Sequence, residues 1–252
     1  MFGLFKKIVK AFIPYGFLWS LETGGGGIRR RIKYRGYKPF GYGESMSPFV
    51  NWVNNYTTIK VKNIFEIGAN FAQDADYLAY RFKIKPLDVY VFEAHPELYK
   101  AIVKLHNFNM YNNAVFNEEK EITFNVVPIN SRNTGISSIF DLDSKIVCEK
   151  VSVKSIRMDN FMNKNNIEKI DFLKLDVEGA TYEVLDGFGE RIKDIQAMHI
   201  EAEHGKVSFK AKKYFDDIAE LLNKNEFEIV YLNRVANQSD SFWIKKGLIK
   251  TG

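Results

Sequence analysis

The sequence predicts an α/β fold: a mostly parallel sheet covered by helices, an inserted β segment, and a hairpin that adds one antiparallel strand. Three observations predict it. Strand-like and helix-like periods alternate through residues 61–116, the run KIDFLKLD (169–176) has the unbroken apolar character of a strand buried on both faces, and FEIVYLN (227–233) and SFWIKKG (241–247) flank a short polar connection.

The chain has 252 residues, of which 46% are hydrophobic and 27% charged, the balance of an ordinary globular protein. The excess of 36 Lys and Arg over 31 Asp and Glu gives a formal net charge of only +5, too mild to mark a nucleic-acid binder. Cys148 is the only cysteine, which excludes an internal disulfide and fits a reducing, cytoplasmic compartment. Four histidines, His95, His106, His199 and His204, show no zinc-binding spacing.

At the N-terminus, Phe2, Phe5, Ile8, Val9 and Phe12 recur at helical spacing with Lys6, Lys7 and Lys10 between them, and Pro14 ends the helix. This amphipathic segment is too short and too charged to span a bilayer. Either residues 1–20 lie on a membrane surface, which would put the protein at its inner face, or they pack on the domain or a partner. Residues 20–47 read as an irregular lead-in: four glycines, Gly24 to Gly27, precede the basic run from Arg29 to Lys38. That run is a solvated face or a flap that meets an anionic substrate. The division expected is therefore 1–47 for the amphipathic helix and basic lead-in, and 48–252 for the α/β domain.

From residue 60 the pattern is regular. VKNIFEIG (61–68) is a strand ending in glycine, and a helix is expected over 70–83. DVYVFEA (88–94) is a second strand, followed by a helix from Pro96 to His106, and NMYNNAVF (109–116) is a third, weaker strand. EITFNVVP (121–128) and KVSVKSI (150–156) alternate as antiparallel strands do, and form the insertion beside the sheet. The strand of 169–176 leads into a helix over about 179–187, IQAMHIEAEH (195–204) contains another strand, and 209–224 is an amphipathic helix carrying Phe215, Ile218, Ala219 and Leu222 on one side.

Four places carry candidate chemistry. In Glu66-Ile67-Gly68-Ala69-Asn70-Phe71-Ala72 a strand ends in a glycine turn and a helix begins, so unpaired N–H groups face the turn. A dinucleotide fingerprint is absent, since only Gly68 is in place. Glu93, 25 residues after Gly68 and at the end of the second strand, can accept bonds from both hydroxyls of a ribose. Its neighbour His95, before Pro96, reads as a capping or packing residue. Asp176 and Glu178 follow a buried strand, where ligands of open parallel sheets gather, with Lys174 in register to balance them. They either orient a hydroxyl, take its proton or hold a divalent metal, or they merely cap the next helix. Glu201, Glu203 and His204 end the following strand, and His204 has the pKa range of a general base.

In this order, IFEIGAN (64–70), VFEAHPELY (91–99), NNAVF (112–116), VKSIRMDNF (153–161), DFLKLDVEGATYEVLDG (171–187) and HIEAEH (199–204) resemble the FkbM family of methyltransferases. The resemblance runs over roughly residues 60–235. It implies a Rossmann-like, class I methyltransferase fold with seven strands and a reversed last one. It also implies S-adenosylmethionine as methyl donor and a hydroxyl acceptor on a sugar, glycan or related metabolite, anionic or lipid-linked. An N-acceptor, a polyketide-like acceptor or a non-catalytic scaffold are the alternatives. By resemblance Glu66, Gly68 and Asn70 line the methionine side of the cofactor, Glu93 the ribose, and residues near Asn113 and the Ser137-Ser138 loop the adenine side, with Phe71 and Ala94 also in the cofactor site. Asp176 lies close to the reacting methyl group. Asp176 and His204 are the candidate bases, with Glu178 or Glu203 orienting; a divalent metal is compatible with this set but not required. The chain departs from the family at Glu66 and Ala72, usually aspartate and glycine, and at Ala94, often proline.

Overall fold

The computed structural model describes residues 44–129, 135–205 and 211–251. The amphipathic segment 1–20 and the basic run Arg29–Lys38 lie outside the described residues. The lead-in read as irregular through residue 47 gives way earlier, to a 3₁₀ turn at Glu44–Met46 and a helix α1, Ser47–Tyr56. Pro48 stands in its first turn, where its missing N–H costs nothing, and Phe49, Val50 and Val53 form the buried stripe.

The chain then alternates as expected: β1 (Ile64–Ile67), α2 (Gln73–Phe82), β2 (Val89–Phe92), α3 (Pro96–Leu105) and β3 (Asn109–Tyr111). Residues 109–116 were expected as one strand but split in two. Asn112 turns the chain there, donating from Nδ2 to Glu93 O at 2.8 Å and Ala94 O at 3.2 Å. The second half, β4 (Ala114–Val115), joins β5 (Glu121–Val126) and β6 (Glu149–Ile156) in a separate sheet of order β4-β6-β5, the predicted insertion.

The main domain resumes with α4 (Met158–Lys164), β7 (Phe172–Leu175), α5 (Thr181–Asp186), β8 (Ala197–Glu203), α6 (Phe215–Lys224), β9 (Phe227–Val235) and β10 (Gln238–Lys245). The helix expected from 209 starts at Phe215, where Asp217 Oδ2 accepts the Tyr214 N–H at 3.0 Å and caps it. The seven strands run β3-β2-β1-β7-β8-β10-β9, and β10 alone runs against the other six. This is the Rossmann-like sheet with one reversed strand.

Period-2 alternation divides the core between the two faces. Ile64, Phe172, Ala197 and Phe242 meet α1, α2 and α3 on one side, while Phe65, Leu173, Met198 and Trp243 meet α4, α5 and α6 on the other. β1 and β7 are buried along their whole length, as central strands of a parallel sheet must be. Among the described residues no helix is long and apolar enough to cross a membrane.

Candidate active site

The polar residues converge at the C-terminal ends of β1, β2, β7 and β8. Gly68 closes β1 with φ +78°, and a Cβ built on it would lie 1.7 Å from the carbonyl oxygen of Asp176. Only glycine lets the ends of β1 and β7 approach this closely. The approach is held by the Asp176 N–H donating to Ile67 O at 3.0 Å, and Gly68 N–H donates across to Phe92 O at 3.1 Å.

Glu93, just past β2, is buried, and both its oxygens accept from backbone: Oε2 from Asn70 N–H at 2.6 Å and Oε1 from His95 N–H at 2.7 Å. Burial pushes its pKa up to about 7 against these two lowering bonds. His95 caps α3 through Nδ1, which accepts from Glu97 N–H at 3.2 Å, and its Nε2 meets Val127 O at 3.1 Å. Burial lowers its pKa, in keeping with a neutral capping residue.

Strand register lines up a polar row across the sheet face covered by α1 and α2. Glu66 stands beside Lys174 and Lys174 beside His199; one step on, Glu201 stands beside Asp240. Lys174 is buried, with Nζ 2.8 Å from Asp176 Oδ2 and 3.4 Å from Asp74 Oδ2. Burial opposes its charge, but Asp176, Asp74 and Glu66 outweigh that and raise its pKa. Glu66 is raised well above the carboxylate range, by burial first and the Asp74 charge second, although its Oε2 accepts from Ala75 N–H at 3.2 Å.

Asp176 and Glu178 do not cap α5, whose N-cap Ala180 has no side-chain bond. Glu178 has φ 45°, its main-chain oxygen accepts from Ser138 Oγ at 2.7 Å, and its Oε2 is buried without a hydrogen-bond partner. Burial, then Asp176 and Glu201, raise its pKa well above the usual range. Glu201 is pushed up to about 8, by the Asp176 charge first and burial second. One oxygen each of Asp176, Glu178 and Glu201 lies within 4.8 Å of the others.

Two adjoining cavities open over these strand ends. A narrow slot of about 90 Å³ is lined by Gly68, Glu93, Ala94, Asn113, Ser137 and Ile139, among others. A larger cavity of about 460 Å³ lies toward α1 and β10, with Glu66, Lys174, His199, Glu201, Tyr231 and Asp240 in its wall. Gly68, Asn70, Gly135, Asp176 and Glu178 line both, so the two form one cleft with Asp176 at its waist.

The cleft thus takes in Glu66, Gly68, Asn70, Glu93, Ala94, Asn113, Asp176 and Glu178 of the residues expected from the sequence. It does not take in four others. Phe71 is buried in the apolar core. Ser138 is buried one position beyond Ser137 and braces Glu178 from behind. Glu203 is buried toward Gly179, with its pKa raised to about 7 by burial. His204 lies past the end of β8, bonded through Nε2 to Gln238 O at 3.1 Å, and lines neither cavity. In its place the cleft brings His199, Glu201 and Asp240, with His199 Nε2 3.4 Å from Asp240 Oδ1. The signal for His199 was its period-2 relation to Glu201 within an apolar strand.

The family model described as the methyltransferase FkbM domain matches residues 66–229, from the buried Glu66 of β1 into β9. The chain belongs to the FkbM methyltransferase family. Solved structures of similar fold are remote. The methyltransferase FkbM of Methylobacillus flagellatus KT is 10% identical with a TM-score of 0.45, over 92% of this chain and 60% of that one. TrmK of M. capricolum, solved with S-adenosylhomocysteine, is 12% identical with a TM-score of 0.41, over 80% of this chain and 69% of that one. The ribosomal protein L11 methylase of Lactobacillus delbrueckii subsp. bulgaricus is 8% identical with a TM-score of 0.45, over 84% and 83%. This chain thus spans 60% of the length of the Methylobacillus FkbM protein. No curated protein sequence matches it.

Proposed function

We propose that this FkbM-family chain transfers the methyl group of S-adenosylmethionine to a hydroxyl of a sugar, glycan or related metabolite. The observation that carries the reading is the continuity of the two cavities through Asp176: nucleoside in the slot, methionine end and acceptor in the larger cavity, methyl group beside Asp176. Glu93 faces the ribose hydroxyls, while the Gly68–Asn70 turn and Glu66 hold the methionine end.

In the reaction an acceptor oxygen lone pair attacks the methyl carbon, the carbon–sulfur bond breaks toward sulfur, and neutral S-adenosylhomocysteine leaves. Most of the gain comes from holding oxygen, carbon and sulfur in line. The hydroxyl proton must go to a base as the bond forms. Asp176 takes it, a role supported by its position at the waist of the cleft, with Lys174 Nζ at 2.8 Å balancing its charge. A cytoplasmic setting is part of the same proposal, supported by the single Cys148, as is contact of residues 1–20 with the inner membrane face, supported by their amphipathic sequence.

The test follows labelled methyl from S-adenosylmethionine into a panel of sugars and sugar-containing lipids. Label in a base-stable ether, with Asp176→Asn reducing turnover by roughly 10²-fold or more while cofactor affinity holds, supports the reading. Label recovered only on nitrogen, or turnover indifferent to Asp176→Asn, contradicts it.

A further inference from the structure

The larger cavity is strongly acidic. Glu66, Asp74, Asp176, Glu178, Glu201 and Asp240 line it, against Lys174 as its one lysine or arginine among the described residues. These charges are not equally served. Lys174 Nζ sits between Asp176 and Asp74, close to Glu66, and His199 stands 3.4 Å from Asp240. Among the described residues no ion pair is formed by Glu178 or Glu201, on which Lys174 acts only at longer range, and Glu178 Oε2 is buried with no hydrogen-bond partner. A buried acceptor oxygen without a donor costs free energy that a bound ligand can recover. The sulfonium of S-adenosylmethionine adds one net positive charge to the cleft, and the carboxylates still outnumber the cations.

We infer that the acceptor presents a protonated amine to Glu178 and Glu201 while its hydroxyl meets the methyl group beside Asp176, so that the substrate class is an amino sugar or similar amino alcohol. The inference rests on the methyltransferase reading and narrows it. Lys174 shows how these walls accept an alkylammonium: two carboxylates, Asp176 and Asp74, share its Nζ, with the Glu66 charge close by. Glu178 and Glu201 offer a second pair of carboxylates beside Asp176. A divalent ion is the competing occupant of this corner, because Asp176, Glu178 and Glu201 each have an oxygen within 4.8 Å of the others. Yet Asp176 Oδ2 already accepts from Lys174 at 2.8 Å, so a metal would have to share that carboxylate with a buried ammonium. An ammonium needs only Glu178, whose Oε2 has no hydrogen-bond partner, and Glu201 beside it. Burial and the Asp176 charge raise the pKa of both, and an ammonium bound between them would lower it again. An anionic acceptor, the class suggested by the basic run Arg29–Lys38, would meet these carboxylates head-on.

The experiment compares D-glucosamine, D-glucose and D-glucuronate as probes of the full chain saturated with S-adenosylhomocysteine, by ligand-observed NMR with competition. Glucosamine is expected to bind at least tenfold more tightly than glucose, which is about 1.4 kcal/mol, and glucuronate more weakly than either. Glu201→Gln is expected to remove the glucosamine advantage, with S-adenosylhomocysteine affinity reporting that the variant is folded; Glu178→Gln is the second variant. Equal binding of glucose and glucosamine, tighter binding of glucuronate, no binding of any of the three, or an advantage that survives both variants would overturn the inference. So would glucose binding that exceeds glucosamine only when magnesium is present, since the carboxylates would then hold a metal. Failure of S-adenosylhomocysteine itself to bind would instead count against the methyltransferase reading, which keeps the two failures apart.

Discussion

Gly68→Ala tests the junction on which the cleft is built. The new Cβ would stand 1.7 Å from Asp176 O and 2.7 Å from its carbonyl carbon, at a residue with φ +78°. The left-handed conformation costs an alanine about 1–2 kcal/mol, and forcing atoms into a packed junction adds about 1–3 kcal/mol or more. The total, about 2–5 kcal/mol, lowers the melting midpoint of a chain this size by roughly 4–20 °C. Relief of the overlap must also move the end of β7, and with it Asp176, by about an ångström, enough to cost on the order of 10²-fold in methyl transfer. Gly247→Ala is the matched control: φ is +83°, but nothing lies within 4 Å of the added carbon, so only the conformational cost of about 1–2 kcal/mol applies. Differential scanning fluorimetry and calorimetry with S-adenosylhomocysteine measure both. If the two variants melt together and Gly68→Ala keeps its affinity, the close approach of β1 and β7 is refuted.

Other outcomes follow from the buried charges. Glu93 and Glu203 are pushed up to about 7 and Glu201 to about 8, above the ordinary carboxyl value of 4.5, so the folded state holds more protons than the unfolded chain through this range. The sign is therefore negative: the ligand-free protein loses stability as pH rises from about 5 to about 8, by a few kcal/mol in order of magnitude. Urea denaturation at pH 5.5 and 8.5 checks it, and a rise in stability with pH would contradict it. Lys174→Met removes the cation shared by Asp176, Asp74 and Glu66; a loss of about 3–5 kcal/mol is expected at pH 8. The loss should shrink toward pH 5, where the orphaned carboxylates take up protons, and an equal loss at both values would refute the charge-balancing role.

The parts legible in the sequence are those in which local pattern and tertiary role coincide. Glu66, Gly68, Glu93 and Asp176 each stand at the C-terminal end of a strand whose apolar run marks it as buried, and the parallel order alone brings those ends together. Lys174 was placed beside Asp176 by the same two-residue period. Standing at a strand end says nothing of direction: His204 turns to Gln238, whereas His199 reaches the cleft from mid-strand. That became visible only when β8 was set beside β7, which aligns His199 with Lys174. The break at Asn112 was hidden for a similar reason, since its partners, Glu93 O and Ala94 O, belong to another strand end. Phe71 lies one residue from Asn70 yet turns into the core, because positive φ at Asn70 and Ala72 swings the turn between them. Asp240 carried no signal in its own segment; it reaches the cleft because β10 runs antiparallel beside Glu201.

The most direct measurement is a calorimetric titration of S-adenosylmethionine into the wild-type chain and into Glu93→Ala. A carboxylate bonded to the ribose is worth about 1.5–3 kcal/mol per bond. The account predicts saturable one-to-one binding by the wild type and at least a tenfold weakening in Glu93→Ala. A folded wild type that does not bind, or a Glu93→Ala variant that binds equally well, would contradict the placement of the cofactor in the slot beside β2.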